Sequence, residues 1–139
     1  MGAEHTGRCQ CGAVTFAVTL KQDTVTACHC TTCRRMHAGP YMGVDADSLE
    51  FAAGAPVTVY KSSEWATRSF CAKCGTSLAW RANDGSMIEV NLFALDNPPE
   101  NPLGVEIFID EKPDTYAFAN ETHKMTGAEV MALALAGGE

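Results

Sequence analysis

A chain of 139 residues has room for one core and too little for two independent ones, so it reads as a single domain over residues 1–139. Apolar residues at 46% against 19% charged exclude a disordered chain, and a formal charge of -7 disfavours nucleic acid and anionic membrane surfaces as partners. No run approaches the roughly 20 apolar residues of a membrane helix, and Met1 to Gln10 lacks the charged start and apolar run of an export signal. The expected compartment is therefore the cytoplasm, with no membrane and no nucleic acid as partner.

In chain order, Val14, Phe16, Val18 and Leu20 alternate with smaller or polar residues, the period-2 pattern of a half-buried strand. A short apolar run, Val25 to Cys28, leads to Thr31–Met36, which suits a turn or two of helix, and Tyr41 to Val44 reads as extended. Val57 to Tyr60 and Thr67 to Phe70 are expected strands. Ser77 to Arg81 and Met87 to Phe93 are expected to form a hairpin about Asn83-Asp84-Gly85, because Asp-Gly favours the positive backbone angles of a tight turn. The proline-rich stretch Asn97–Pro102 is a loop, and Val105 to Ile109 is one more strand. Thr126 with Glu129 makes a capping-box start for a terminal helix over about 126–136. The predicted class is mainly β with short helices.

Seven cysteines in a chain with no export signal point to metal or thiol chemistry rather than disulfides. They fall into Cys9-x-Cys11, Cys28-x-Cys30-x-x-Cys33 and Cys71-x-x-Cys74-Gly75. Residues two apart on an extended chain share a side, and Cys-x-x-Cys-Gly makes a tight knuckle, so Cys9, Cys11, Cys71 and Cys74 together complete the four ligands of a structural zinc. The alternative makes Cys9 and Cys11 ordinary buried thiols. Cys28, Cys30 and Cys33 leave a tetrahedral ion one ligand short, the position where a catalytic zinc takes water or substrate. A metal-independent redox relay is the alternative for these three. His29 would point away from its cysteine neighbours if the segment is extended, and is expected in the core or beside the ligands rather than among them.

The runs Gly7-Arg8-Cys9-Gln10-Cys11-Gly12, Cys28-His29-Cys30-Thr31-Thr32-Cys33-Arg34-Arg35 and Phe70-Cys71-Ala72-Lys73-Cys74-Gly75-Thr76 resemble the glutathione-dependent formaldehyde-activating enzyme family, the CENP-V/GFA domain. Ile107-Phe108-Ile109-Asp110 with Lys112-Pro113-Asp114-Thr115-Tyr116 is similar to its closing segment, so the resemblance covers about 7–118. It implies an Mss4-like, zinc-stapled β fold, with Cys9, Cys11, Cys71 and Cys74 on a structural zinc and Cys28, Cys30 and Cys33 on a catalytic one. It further implies carbon-sulfur lyase chemistry, the joining of formaldehyde to glutathione or the reverse. Met36-His37-Ala38-Gly39-Pro40 departs from the small residues usual after the paired arginines, which implies a different pocket.

On this reading two zinc ions per chain are expected, the second one labile, and the partner is glutathione or another small thiol; a homodimer stays open. Arg34 and Arg35 could clamp the carboxylates of glutathione in bidentate fashion, or sit on a solvated helix face. His37, with its ordinary pKa near 6.5, could move the adduct's proton. Trp65, Trp80, Tyr41 and Phe93 could line a pocket, or simply be core. A non-catalytic zinc-stapled binding module and a thiol redox enzyme are the competing functions.

Overall fold

The computed structural model describes residues 3–137. The chain divides into two compact units, one of Met1–Asp23 with Gly43–Glu100 and one of Thr24–Met42 with Asn101–Glu139.

The first unit is β apart from the 3-10 turn Leu92–Ala94. It holds β1 (Ala3–Arg8), the start of β2 (Thr15–Cys28), most of β3 (Tyr41–Phe51), β4 (Val57–Lys61), β5 (Ala66–Cys71), β6 (Ser77–Ala82) and β7 (Ile88–Asn91). The strands lie in the order β4-β5-β6-β7-β3-β2, with β1 added antiparallel to β2. Phe16, Val18 and Leu20 are buried on alternate positions of β2 as their spacing requires, and Val44, Leu78 and Val90 are wholly buried with them. The hairpin β6–β7 closes at Gly85, whose φ of 78° is the left-handed conformation that glycine adopts without strain. The amide of Ser86 donates to Asp84 Oδ1 at 2.9 Å and fixes the same turn.

β1 has no hydrophobic alternation and was not expected. Its partner makes it: Ala3 pairs with Leu20 and Arg8 with Thr15, so the strand follows the register of β2. Gly7 is required within it, because a Cβ there would run into the Phe16 ring and come within 2.5 Å of the Ala94 carbonyl oxygen.

The second unit holds the end of β2, α1 (Thr31–His37), β8 (Leu103–Ile107), β9 (His123–Met125) and α2 (Gly127–Gly137). Val25 to Cys28 is the continuation of β2 rather than a separate run, and it pairs in parallel with β8, placing Cys28 opposite Ile107. β8 in turn pairs in parallel with β9. β8 stops two residues earlier than the sequence suggests. Phe108 takes a left-handed φ of 55°, which turns the chain out of the strand and into the 3-10 turn Ile109–Glu111. The terminal helix starts as expected: the Thr126 amide donates to Glu129 Oε1 at 2.8 Å, and the Glu129 amide donates to Thr126 Oγ1 at 3.2 Å. Among the described residues no helix is long and apolar enough to cross a membrane.

Candidate metal centres and active site

Cys9, Cys11, Cys71 and Cys74 converge in the first unit, their sulfur atoms all within 4.8 Å of one another. Two similar turns bring them there. Cys9 precedes a turn in which the Gly12 amide donates to the Cys9 carbonyl at 3.2 Å; Cys71 ends β5 in a turn where the Gly75 amide donates to the Cys71 carbonyl at 2.9 Å. Both glycines have a φ of 83°. Cys9 and Cys11 therefore share a target through a turn, not through the extended chain that their spacing suggested. The two turns are tied by the Gln10 amide, which donates to Thr76 Oγ1 at 3.0 Å.

The sulfurs of Cys9 and Cys11 are 3.6 Å apart, and those of Cys11 and Cys71 are 3.9 Å apart. Four sulfurs at about 2.3 Å from a tetrahedral zinc would be about 3.8 Å apart, so the group has the dimensions of a zinc tetrahedron. Backbone amides point at the sulfurs as they do at thiolates: Val14 donates to Cys9 Sγ at 3.2 Å, and Lys73 and Cys74 donate to Cys71 Sγ at 3.3 and 3.4 Å. The Thr76 hydroxyl, 3.1 Å from the sulfur, and then the Thr76 amide pull the Cys74 thiol down to about 5. For Cys11 the Ala13 amide pulls downward, but Cys9, partial burial and the other two thiols outweigh it and push the group up to about 11. The upward push on Cys11 is what crowding among acids produces, and a bound dication relieves it.

The second unit gathers Cys28, Cys30 and Cys33, again with all sulfurs within 4.8 Å of one another. Cys28 ends β2; Cys30 is the N-cap of α1, its sulfur accepting the Cys33 amide at 3.3 Å; Cys33 is buried in the first turn of that helix. Cys30 and Cys33 crowd the Cys28 thiol, and together with burial they push its pKa far upward. Among the described residues the group has three members. Each of the two groups could hold a metal ion, and an all-thiol donor set suits zinc.

His29 is completely buried and stands outside the three-sulfur group. Its Nε2 is 2.8 Å from Glu106 Oε1 and its Nδ1 is 2.8 Å from the Tyr116 hydroxyl. Glu106, 1% exposed, also accepts from Thr122 Oγ1 at 2.7 Å and has Lys124 Nζ at 3.7 Å. Burial works to raise the Glu106 carboxyl, yet the hydrogen bonds from Thr122 and His29 prevail and hold it below the usual range. At the start of α1, Glu111 Oε1 accepts from the Thr31 amide at 2.8 Å and the Thr31 hydroxyl at 3.1 Å, anchoring the helix. The sequence did not single out Glu106, Glu111 or Tyr116 as site residues. Glu106 sits among apolar residues of its strand, its partner His29 lies 77 positions away, and no local signal marks it.

The remaining candidates are distributed along α1. Arg34 is half-buried; its Nε donates to the His29 carbonyl at 2.9 Å and its NH2 group to Thr31 Oγ1 at 3.4 Å, so much of its fork is engaged within the helix start. Arg35 is exposed. His37, at the end of α1, stacks on the buried Tyr41 ring with centroids 4.6 Å apart. In the first unit Trp65 and Trp80 meet edge to face, and Phe93 is 72% exposed.

Residues 4–111 match the family model of the glutathione-dependent formaldehyde-activating enzyme, a span containing all seven cysteines. The chain belongs to this family. It is similar to an uncharacterized lyase of Schizosaccharomyces pombe, 32% identical over 130 residues that cover 92% of this chain and 95% of that protein. It is also similar to a Halomonas elongata protein named as a glutathione-dependent formaldehyde-activating enzyme, 28% identical over 78% of this chain and 76% of that protein. A crystal structure of a Rhodobacter sphaeroides protein superposes with a TM-score of 0.58 at 28% identity, covering 70% of this chain and 91% of that one. These likenesses agree with the mainly β fold and with the resemblance carried by the cysteine motifs.

Proposed function

We propose that this chain is a zinc-dependent carbon-sulfur lyase acting on the adduct of glutathione, or a similar small thiol, with formaldehyde or another small aldehyde. The observation that carries the reading is the three-membered group Cys28, Cys30 and Cys33, in a chain whose family and relatives are named for lyase and formaldehyde chemistry. Cys9, Cys11, Cys71 and Cys74 would hold one zinc with all four positions filled, a staple for the first unit. Cys28, Cys30 and Cys33 would hold the other, which when bound supplies a Lewis acid with a position left for the substrate.

The chain's own residues then have three tasks. The cysteines of the trio fix the reacting centre at the junction of β2 and α1. Arg35, exposed beside it, offers a guanidinium to a glutathione carboxylate, and Arg34 contributes positive charge from its anchored position. His37, at the other end of α1, is the candidate for exchanging the hydroxyl proton of the adduct. The matched family span runs through both units, which supports reading the chain as one domain.

Exchange spectroscopy on isotope-labelled formaldehyde mixed with glutathione tests the proposal. The zinc-loaded chain should speed interconversion of free and thiol-bound formaldehyde, and Cys30→Ser should return it to the spontaneous rate. A wild-type protein that leaves the spontaneous rate unchanged would remove this substrate and favour the binding-module reading.

A further inference from the structure

The thiols of the four-cysteine group fall into an inner and an outer pair. Cys9 and Cys71 are 1% and 0% exposed, and their sulfurs accept backbone amides, Val14 on the one and Lys73 and Cys74 on the other. Cys11 and Cys74 are exposed. Each lies in a turn and directly precedes a glycine, Gly12 or Gly75, with a φ of 83°. Each turn thus presents one thiol to solvent, and the two outer sulfurs lie within 4.8 Å of each other. In the trio, by contrast, Cys28 and Cys33 are buried and Cys30 is half-buried.

Two kinds of attack on a zinc-thiolate site have different requirements. Exchange with an incoming thiol needs a free coordination position, which three ligands leave and four do not. Oxidation needs a sulfur that the oxidant can touch and a second thiol near enough to resolve the product. The trio meets the first requirement, and the four-cysteine group meets the second. Cys9 is the competing resolving thiol, its sulfur 3.6 Å from that of Cys11, but it is buried and held by the Val14 amide, whereas Cys74 is exposed like Cys11.

We propose that Cys11 and Cys74 form an oxidation site, which hydrogen peroxide converts to a disulfide, withdrawing two of the four donors from the staple. The inference rests on reading the four-cysteine group as the structural zinc site. One of the two thiolates attacks a peroxide oxygen, forming an S–O bond and breaking the O–O bond, and the departing oxygen leaves as water. The other thiolate then attacks the sulfenic sulfur, forming the S–S bond and expelling the second oxygen as water. Two thiolates, one hydrogen peroxide and two protons give one disulfide and two waters; the sulfurs together lose the two electrons that the peroxide gains.

The test treats the zinc-loaded full chain with one equivalent of hydrogen peroxide and follows zinc release with a chromophoric chelator against an untreated control. Alkylation, tryptic digestion and mass spectrometry then map the cysteines. Cleavage after Lys73 separates Cys71 from Cys74, and fragmentation of the peptide separates Cys9 from Cys11. The expected result is release of one zinc and a disulfide joining Cys11 to Cys74, with Cys28, Cys30 and Cys33 still open to alkylation. Reduction with a dithiol should restore zinc binding. Cys30→Ser keeps the four-cysteine group, so its peroxide-driven zinc release should run within about twofold of the wild-type rate, which exposure of Cys11 and Cys74 sets. Oxidation that falls first within the trio, a bond from Cys11 to Cys9, or loss of the release in Cys30→Ser would overturn the inference. A disulfide between Cys11 and Cys74 that forms without zinc release keeps the oxidation site and retires the structural-zinc reading.

Discussion

Cys71→Ser should lose one zinc per chain and most of the protein's stability. Cys71 is completely buried, its sulfur accepts two backbone amides, and it closes the four-cysteine group between the end of β5 and the turn after β1. Metal binding to all-protein zinc sites is worth about 10–16 kcal/mol in small zinc-finger peptides, comparable with or larger than the roughly 5–15 kcal/mol net stability of a whole domain. The expected outcome is a melting temperature lowered by tens of degrees or failure to accumulate as folded protein. Should the variant be insoluble, stripping the wild type with a strong chelator at rising temperature gives the same comparison without a mutation. A Cys71→Ser protein that melts within a few degrees of wild type, with its zinc count unchanged, would show that the group is not a staple.

His29→Leu should cost about 3–5 kcal/mol, because it leaves Oε1 of the buried Glu106 carboxylate without the His29 ring nitrogen that faces it. In a chain of this length that corresponds to a melting temperature roughly 10 °C lower or more. The volume change is small, so packing alone would cost far less. His29→Leu paired with Glu106→Leu separates the two contributions: if the buried pair is responsible, the double variant recovers part of the loss, since removing both polar partners is milder than orphaning one. A single variant that melts with the wild type would mean the carboxylate finds water or a new partner.

The contrast between these two sites explains what could be read in advance. Metal ligands come in short local spacings, so Cys28-x-Cys30-x-x-Cys33 and Cys71-x-x-Cys74-Gly75 were legible, and counting to four joined Cys9 and Cys11 to a pair 60 positions away. Alternation revealed the buried face of β2, and the Thr126 and Glu129 pair revealed the start of α2, because both signals lie within a few residues of the element they define. β1 was hidden because its residues borrow their register from β2, and a sequence without alternation cannot announce a partner. The turn at Gly12 was misread as extended chain, since Cys-x-Cys fits either geometry and only the bond from the Gly12 amide decides. Glu106 and Tyr116 were missed as site residues for a related reason. Their roles come from contacts 77 and 87 positions distant with His29, and nothing adjacent to either in the chain sets it apart from an ordinary acid or aromatic.

Elemental analysis of zinc per chain, before and after dialysis against glutathione and with Cys30→Ser alongside, tests the central claim most directly. The account predicts two zinc ions in the wild type, one lost on dialysis, and one from the start in the variant. A single zinc in both proteins under all conditions would contradict it and leave Cys28, Cys30 and Cys33 to thiol redox chemistry.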